Sequence, residues 1–429
     1  MEHFLRNLLH VLVKRTYIRN LYRKYKYYTF YKSFLRNNDN LARIKGKKKY
    51  KVAFFVIHAS VWKCEYVYRI MEKNPLFEPI IVVCPAVNFG RENMIEVMEE
   101  CYERFKNGYN CIKTYDQEKD TFLDIRESIS PDIIFYTNPY RGLIHENYFI
   151  DKFPDILTCY VPYYWSESAE YGFCHNQELH NLVWKIFSET ETHKKFAQKY
   201  AYNKGINVEV TGYPGIDRLI DEKYLYKDVW KIKNRNIKRI IWAPHHTFAD
   251  DEVIKYSCFL YIYDCMMSLA EKYKNKVQFA FKPHPLLKVK LYKYWGKEKT
   301  DRYYKYWEES ENTMFCNGDY TDLFLSSDAI IHDCGSFIAE YLYTGKPGLY
   351  TLKNEDTLLQ FNDLGKECLD VYYIAKNKED IEKFIINIIE GNDELKDKRN
   401  TFIETKLLPK NKKLASDNIV NIITNSLSN

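Results

Sequence analysis

From residue 49 onward, short runs of consecutive apolar residues alternate with longer segments whose apolar positions recur at helical spacing. Continuous apolar runs of about four to eight residues are typical of strands buried on both faces of a parallel sheet. Their alternation with helices predicts βαβ units and therefore an α/β fold. The predicted strands lie at 52–57, 79–84, 132–136, 156–161 and 208–211, and then at 239–243, 277–282, 329–331, 349–350 and 371–374.

The predicted strands fall into two sets, and a chain of 429 residues exceeds the length of one ordinary domain. We therefore predict two Rossmann-like domains facing across a cleft, an N-terminal one at 49–220 and a C-terminal one at 221–376. A basic helical arm at 1–48 precedes them, and amphipathic helices at 377–429 follow. Because parallel sheets bind ligands at the carboxyl ends of their strands, we expect a site there.

The basic arm carries the excess positive charge of the chain. Residues 1–50 contain 14 Lys and Arg and two acidic residues, Glu2 and Asp39, whereas the whole chain has a net charge of +6. A solvated arm, or one that binds nucleic acid, is an alternative, but no nucleic-acid-binding module follows it. We therefore expect an arm outside the fold that lies on an anionic membrane surface. Its apolar face comprises Phe4, Leu5, Leu8, Leu9, Val11 and Leu12.

Polar residues follow three predicted strands of the second half, at the point where each strand ends. The segments are 242–247 (WAPHHT), 281–285 (FKPHP) and 332–336 (HDCGS). Because the ends of parallel strands meet at one edge of a sheet, Lys282, His284 and the Gly-Ser start of the next helix would suit a pyrophosphate. The structural alternatives are a serine that only caps its helix and histidines that only pack.

Metal and cofactor signals are weak in this sequence. His245, His246 and His332 could hold a metal, but we expect neighbouring histidines to point apart, and no carboxylate spacing completes a site. There is no G-x-G-x-x-G, no P-loop motif and no D-x-D. The eleven cysteines lack C-x-x-C pairs and a preceding signal peptide, which predicts reduced thiols in a cytosolic protein. We therefore expect no metal and no cofactor.

The three segments resemble motifs of the CDP-glycerol glycerophosphotransferase family, whose members build teichoic-acid-type polymers. Residues 282–285 match the family's K-P-H-P without change, and 210–217 (VTGYPGID) resemble its G-Y-P-R-x-D. The stretch 332–340 resembles T-D-Y-S-S-x-x-x-D, and a K-P pair follows in both. The resemblance covers about residues 206–350 and implies a GT-B architecture with the donor in the C-terminal domain.

The resemblance implies that an acceptor hydroxyl attacks the β-phosphorus of CDP-glycerol directly, with CMP leaving. The implied catalytic residues are His284, His246 and a base from the first domain. His58, directly after the first strand, is the leading candidate for that base, and Glu167 and His175 are alternatives. The implied donor- and phosphate-binding residues are Lys282, His245, His332, Asp333, Gly335, Ser336 and Glu340, the last of these for the ribose hydroxyls.

The chain departs from the family pattern in two places. The family's A-P-T-x-R becomes 243–247 (APHHT), which lacks the arginine. The family's W-H-G motif, the usual source of a proposed base, has no match, and 160–165 (YVPYYW) occupies roughly that region. The resemblance is therefore more specific for the donor half of the reaction than for the acceptor half.

Together these observations predict a peripheral enzyme at the cytoplasmic face of the cell membrane. It would move glycerol phosphate, or a related polyol phosphate, from a CDP-linked donor to a lipid-linked or cell-surface polysaccharide acceptor, in teichoic acid or capsule polysaccharide synthesis. A GT-B glycosyltransferase that uses a nucleotide sugar has the same architecture and is the first alternative. The second is a non-catalytic membrane-associated scaffold, which would bind no nucleotide.

Overall fold

The computed structural model describes residues 2–248 and 255–428, with side chains described from residue 17 onward. The strands, in chain order, are β1 (Tyr50–Val56), β2 (Phe77–Val83), β3 (Cys111–Lys113), β4 (Tyr115–Asp116), β5 (Thr121–Phe122), β6 (Ile133–Tyr136), β7 (Leu157–Tyr160), β8 (Lys185–Ser188), β9 (Val208–Val210), β10 (Lys238–Ala243), β11 (Val277–Phe281), β12 (Thr313–Phe315), β13 (Ala329–His332), β14 (Gly348–Thr351) and β15 (Tyr373–Ala375). The α-helices are α1 (Glu2–Ile44), α2 (Glu65–Lys73), α3 (Arg91–Phe105), α4 (Ile125–Ser128), α5 (Tyr171–His175), α6 (Glu178–Leu182), α7 (Glu191–Tyr200), α8 (Asp217–Ile220), α9 (Phe259–Lys272), α10 (Leu286–Trp295), α11 (Lys297–Glu309), α12 (Thr321–Ser326), α13 (Phe337–Glu340), α14 (Asp363–Leu369), α15 (Lys378–Glu390), α16 (Lys396–Phe402) and α17 (Ala415–Ser428).

The chain divides into two compact units. The first comprises Met1–Tyr164, Tyr171–Gly215 and Lys413–Asn429, and the second comprises Trp165–Glu170 and Ile216–Lys412. The sequence-based boundary at residue 220 falls at the end of α8, which is already part of the second unit. Of the helices predicted at 377–429, α15 and α16 belong to the second unit and α17 belongs to the first.

The first unit is built on a seven-stranded sheet with the order β3-β2-β1-β6-β7-β8-β9. Every neighbouring pair is parallel, and β1 lies between β2 and β6. Successive β1 side chains enter different cores, as expected for a strand covered on both faces. Those in one core are Val52, Phe54 and Val56, and those in the other are Ala53 and Phe55, together with Ile57 just after the strand.

The basic arm forms the single long helix α1, and its C-terminal part packs on the first unit. Phe30, Asn37 and Asn40 are buried. The Asn37 side-chain amide donates to the Leu182 carbonyl at 3.0 Å, and that of Asn40 donates to the Pro154 carbonyl at 2.9 Å. The prediction that the whole arm lies outside the fold is therefore wrong for this part. The buried face of the helix includes asparagines, so the apolar pattern that indicates a packed helix was not apparent in the sequence.

The N-terminal part of α1 bears on the predicted membrane contact. The apolar face predicted over residues 4–12 lies outside the part of the chain whose side chains are described. Within the described residues, no helix combines the length and apolar character needed to cross a membrane.

The second unit is built on a six-stranded parallel sheet with the order β12-β11-β10-β13-β14-β15. The chain runs outward from β10 through β11 to β12, and then returns to β13 on the other side of β10. The chain therefore continues from β10 and from β13 towards opposite edges of the sheet, and such a switch point is where open α/β sheets bind ligands. The predicted α/β class with parallel sheets is confirmed.

Candidate active site

Three neighbouring strands, β11, β10 and β13, bring the predicted site segments to one edge of the second sheet. In the register of the sheet, Trp242 is paired with Phe281 and Ala243 is paired with His332. The residues that follow these positions therefore leave the sheet at nearly the same level. The sequence-based prediction that the three segments converge is consistent with this topology.

His245, His246 and His284 form a cluster of imidazole rings at this edge. The ring centroids of His245 and His246 are 4.4 Å apart, and those of His246 and His284 are 4.2 Å apart. The expectation that the two neighbouring histidines point apart is therefore wrong. Both follow Pro244 in a loop beyond β10, where the alternation of side-chain directions along a strand no longer applies.

All three imidazoles are held in the neutral form. Burial lowers the pKa of His246 to about 3 and that of His284 to about 4, and it lowers the pKa of His245 well below its usual value. The nearby Lys282 also lowers the pKa of His284. The Leu286 backbone N–H donates to His284 Nδ1 at 3.2 Å, so His284 Nε2 carries the proton and is a hydrogen-bond donor.

The same geometry bears on metal binding, because one nitrogen from each ring lies within 4.8 Å of the others. A metal takes the lone pair of a neutral imidazole nitrogen, while the other nitrogen donates to a second partner. In His284 that arrangement is reversed, since Nδ1 accepts from a backbone N–H. The cluster therefore suits the oxygens of an anion better than a metal ion.

Lys282 lies beside this cluster and is 6% exposed. Its ammonium group is 6.0 Å from the ring centroid of Tyr320. The Tyr320 hydroxyl in turn donates to the Glu340 carboxylate, which is also buried. Glu340, expected at the ribose hydroxyls, is therefore engaged by Tyr320 in this structure.

Asp333 and His332 lie in the interior behind the site. The Asp333 carboxylate accepts hydrogen bonds from the backbone N–H of His245 at 2.5 Å and from the backbone N–H of Cys258 at 2.6 Å. It therefore connects the loop after β10 to the start of α9. Burial raises the pKa of Asp333 to about 7, although these N–H donors act in the opposite direction. The His332 ring contacts the rings of Tyr350 and Tyr372 rather than the histidine cluster. Burial lowers its pKa to about 3.

The Gly-Ser segment is followed by a shorter helix than the sequence suggested. The helix α13 has four residues, and the Ser336 side chain makes no capping hydrogen bond. Gly335 has a close neighbour that the sequence did not indicate, because a β-carbon there would lie 2.1 Å from Glu167 Oε1. Only the three-dimensional structure brings Glu167 to this segment, since the two residues are far apart along the chain.

The other two candidates for the base lie in the first unit. His58 lies two residues beyond the end of β1 and precedes a short 3-10 turn, and burial lowers its pKa. His175 ends α5 and packs near His193 and Phe196, with ring centroids 6.2 Å and 5.6 Å away. Burial lowers the pKa of His175 well below its usual value. This packing is typical of a structural histidine.

Comparison with protein families gives one match that spans more than half of the chain. A sequence model of CDP-Glycerol:Poly(glycerophosphate) glycerophosphotransferase matches residues 171–425. The matched stretch contains every predicted donor-site residue of the second unit and omits most of the first sheet. No curated protein matches the sequence.

Solved structures resemble the whole chain at low sequence identity. A variant of the wall teichoic acid polymerase TagF has a TM-score of 0.62 at 15% identity, with 95% of this chain and 98% of that chain covered. The same variant soaked with CDPG gives 0.57 at 13% identity over 96% and 98%. UDP-GlcNAc 2-epimerase from Neisseria meningitidis, bound to UDP-GlcNAc, gives 0.57 at 15% identity over 88% and 100%. These similarities confirm the predicted GT-B-like fold.

Proposed function

Because the chain belongs to the CDP-glycerol:poly(glycerophosphate) glycerophosphotransferase family, we propose that it transfers glycerol phosphate, or a related polyol phosphate, from a CDP-linked donor. The acceptor in this proposal is a hydroxyl of a lipid-linked or cell-surface polysaccharide. Family membership makes the chain a transferase. The observation that carries the proposed donor is the cluster of Lys282, His245, His246 and His284 at the switch point of the second sheet.

The chemistry of this cluster suits a diphosphate. Lys282 supplies a buried positive charge, and the neutral His284 supplies an N–H donor at a fixed position. Phosphoryl transfer needs such preorganised donors, because negative charge shifts onto the bridging and non-bridging oxygens in the transition state. Asp333 is a positioning residue in this scheme, since it holds the backbone of the His245 loop.

In the proposed reaction the acceptor oxygen attacks the β-phosphorus of CDP-glycerol from the side opposite to the bridging oxygen. The bond to that bridging oxygen breaks and CMP leaves. Lys282 and His284 would contact the phosphate oxygens throughout, and stronger contacts in the transition state than in the ground state would raise the rate.

We also propose that α1 holds the enzyme on the cytoplasmic face of an anionic membrane. The segment that follows residue 16 exposes large side chains beside basic ones, and each Lys or Arg near such a surface contributes about 1 kcal/mol. Arg23, Lys24 and Lys204 line a groove between α1 and the loop after α7. The exposed large side chains are Tyr17, Ile18, Leu21, Tyr22, Tyr25, Tyr28, Tyr31 and Leu35.

A panel of ligands tests the proposed donor. CDP-glycerol at a hundred times its dissociation constant should stabilise the protein by about 2.7 kcal/mol, which a thermal-shift assay detects. We expect CDP-glycerol or CDP-ribitol to raise the melting temperature more than CMP does, and UDP-sugars to leave it unchanged. Stabilisation by a UDP-sugar alone would favour a glycosyltransferase and contradict the proposal.

A further inference from the structure

Glu167 reaches the donor side of the second unit from a distant part of the sequence. Trp165–Glu170 belongs to the second unit, although the residues on either side belong to the first. The Ala169 N–H donates to the Gln360 carbonyl at 2.9 Å, and the Asn362 N–H donates to the Glu167 carbonyl at 2.7 Å. Glu167 itself is 6% exposed. The backbone that carries its carboxylate is therefore held in place.

Two glycines leave room for Glu167. A β-carbon at Gly335 would lie 2.1 Å from Glu167 Oε1, and one at Gly365 would lie 3.0 Å from the Glu167 carbonyl oxygen. The carboxylate can therefore approach Gly335 because glycine has no side chain. Gly335 belongs to the stretch that resembles the family's donor motif. The structure thus places a carboxylate directly against the backbone of that stretch.

Several titratable groups surround Glu167. Its negative charge acts on the thiols of Cys334, in the loop after β13, and Cys368, in α14. Burial raises the pKa of both thiols well above the usual range, so they stay protonated at neutral pH. Lys282 and Glu340 also act on Cys334, and the Tyr256 ring lies 3.1 Å from the β-carbon position of Gly335.

We propose that the Glu167 carboxylate is the general base that takes the proton from the acceptor hydroxyl. This inference rests on the proposed glycerophosphate transfer. Of the three candidate bases, Glu167 is the one that belongs to the same unit as the donor-site loops, whereas His58 and His175 belong to the other. It also stands close in sequence to 160–165, the region where the family's W-H-G motif has no match.

In this step the O–H bond of the acceptor breaks while its oxygen forms a bond to the β-phosphorus. The bond from that phosphorus to the bridging oxygen breaks, and its electron pair leaves with CMP. The proton passes to the Glu167 carboxylate and from there to water. A bound diphosphate makes a neighbouring carboxylate hold a proton more strongly, which suits a base that works near neutral pH.

The test compares Glu167→Gln with Glu170→Gln, an exposed glutamate of the same segment. CMP release from CDP-glycerol with an acceptor gives kcat, calorimetry gives the donor Kd, and melting temperatures report the fold. We expect Glu167→Gln to lower kcat about 100-fold or more with a donor Kd within about threefold of wild type. In the pH profile of the wild type, kcat should fall on the acid side. The profile of Glu167→Gln should lack this acid limb. Formate should partly restore Glu167→Ala, and Glu170→Gln should match wild type.

Other results would overturn the inference. A kcat within about threefold of wild type in Glu167→Gln, or a loss confined to donor Kd, would show that Glu167 is not the base. Should Glu167→Gln unfold, Glu167→Asp retains the charge one methylene further back, and it should lower kcat while keeping the acid limb. A wild-type protein that neither binds CDP-glycerol nor releases CMP would refute the proposed function itself. The assignment of Glu167 as the general base would then be refuted as well.

Discussion

Asp333→Asn separates the stabilising role of this residue from its role in the site. Burial raises the pKa of Asp333 to about 7 in the folded protein, whereas an aspartate in an unfolded chain titrates near 3.9. Between about pH 4 and pH 7 the folded protein therefore holds a proton that the unfolded chain has released. The stability that Asp333 contributes is fully present below about pH 4 and is lost as the pH rises through 7.

The size of this pH dependence follows from the difference between the pKa of Asp333 in the folded protein and in the unfolded chain. One pKa unit corresponds to about 1.4 kcal/mol, so the window between pH 5 and pH 7 corresponds to roughly 3 kcal/mol for a fully buried group. Asparagine does not titrate there. It can accept only one of the two N–H groups now bound by Asp333, and a buried orphan donor costs about 1–3 kcal/mol. We expect Asp333→Asn to be less stable than wild type at pH 5 and to recover roughly 3 kcal/mol relative to it by pH 8.

Denaturant unfolding of both proteins at pH 5 and pH 8 gives the free energies of unfolding. The turnover of Asp333→Asn should be lower than that of wild type, because the His245 loop loses one of its hydrogen bonds, and displacement by about 1 Å can cost up to a hundredfold in rate. A stability difference between Asp333→Asn and wild type that stays the same at both pH values would refute the linkage argument. Unchanged turnover would refute the positioning role.

Four further outcomes are expected. His284→Ala should lower kcat by on the order of a hundred- to a thousandfold with little change in melting temperature, and a lowered melting temperature with normal turnover would show a structural role. Lys282→Ala should weaken donor binding more than Ser336→Ala, since only the lysine supplies a charge-assisted bond, and calorimetry giving the reverse order would count against this donor placement. Reversing the charges of Arg23 and Lys24 to Glu should reduce sedimentation with anionic liposomes, whereas equal wild-type binding to neutral liposomes at high salt would exclude the electrostatic contact. A zinc chelator should leave CMP release unchanged, and activity lost to the chelator and restored by zinc would contradict this.

The positions of the sheet and its polar edge were predictable from local pattern. Apolar runs such as 240–243 and 329–331 leave water only when both faces of the strand are buried, so their strand character and central place follow. Because the three chemical segments each begin where such a run ends, their convergence also follows from the geometry of parallel strands. The fold and the donor-side loops were therefore visible in the sequence.

The direction of individual side chains was not predictable in the same way. His332 is the last residue of β13 and turns into the core, whereas His245 lies two residues beyond β10 and faces the cluster. A shift of one residue in where a strand ends reverses such an assignment. The contact between Glu167 and Gly335 was not predictable for a different reason, because it depends on a segment that packs across a long sequence separation. No local pattern records such a contact.

The departure from the family's A-P-T-x-R motif now has a physical interpretation. An arginine at the donor site is a fixed charge whose strength does not depend on pH near neutrality. The chain has His245 and His246 in this segment, and burial keeps both neutral, so the pair offers hydrogen bonds without charge. The positive charge that faces a bound diphosphate then falls mainly on Lys282, and its replacement should be more damaging here than in a site that keeps the arginine.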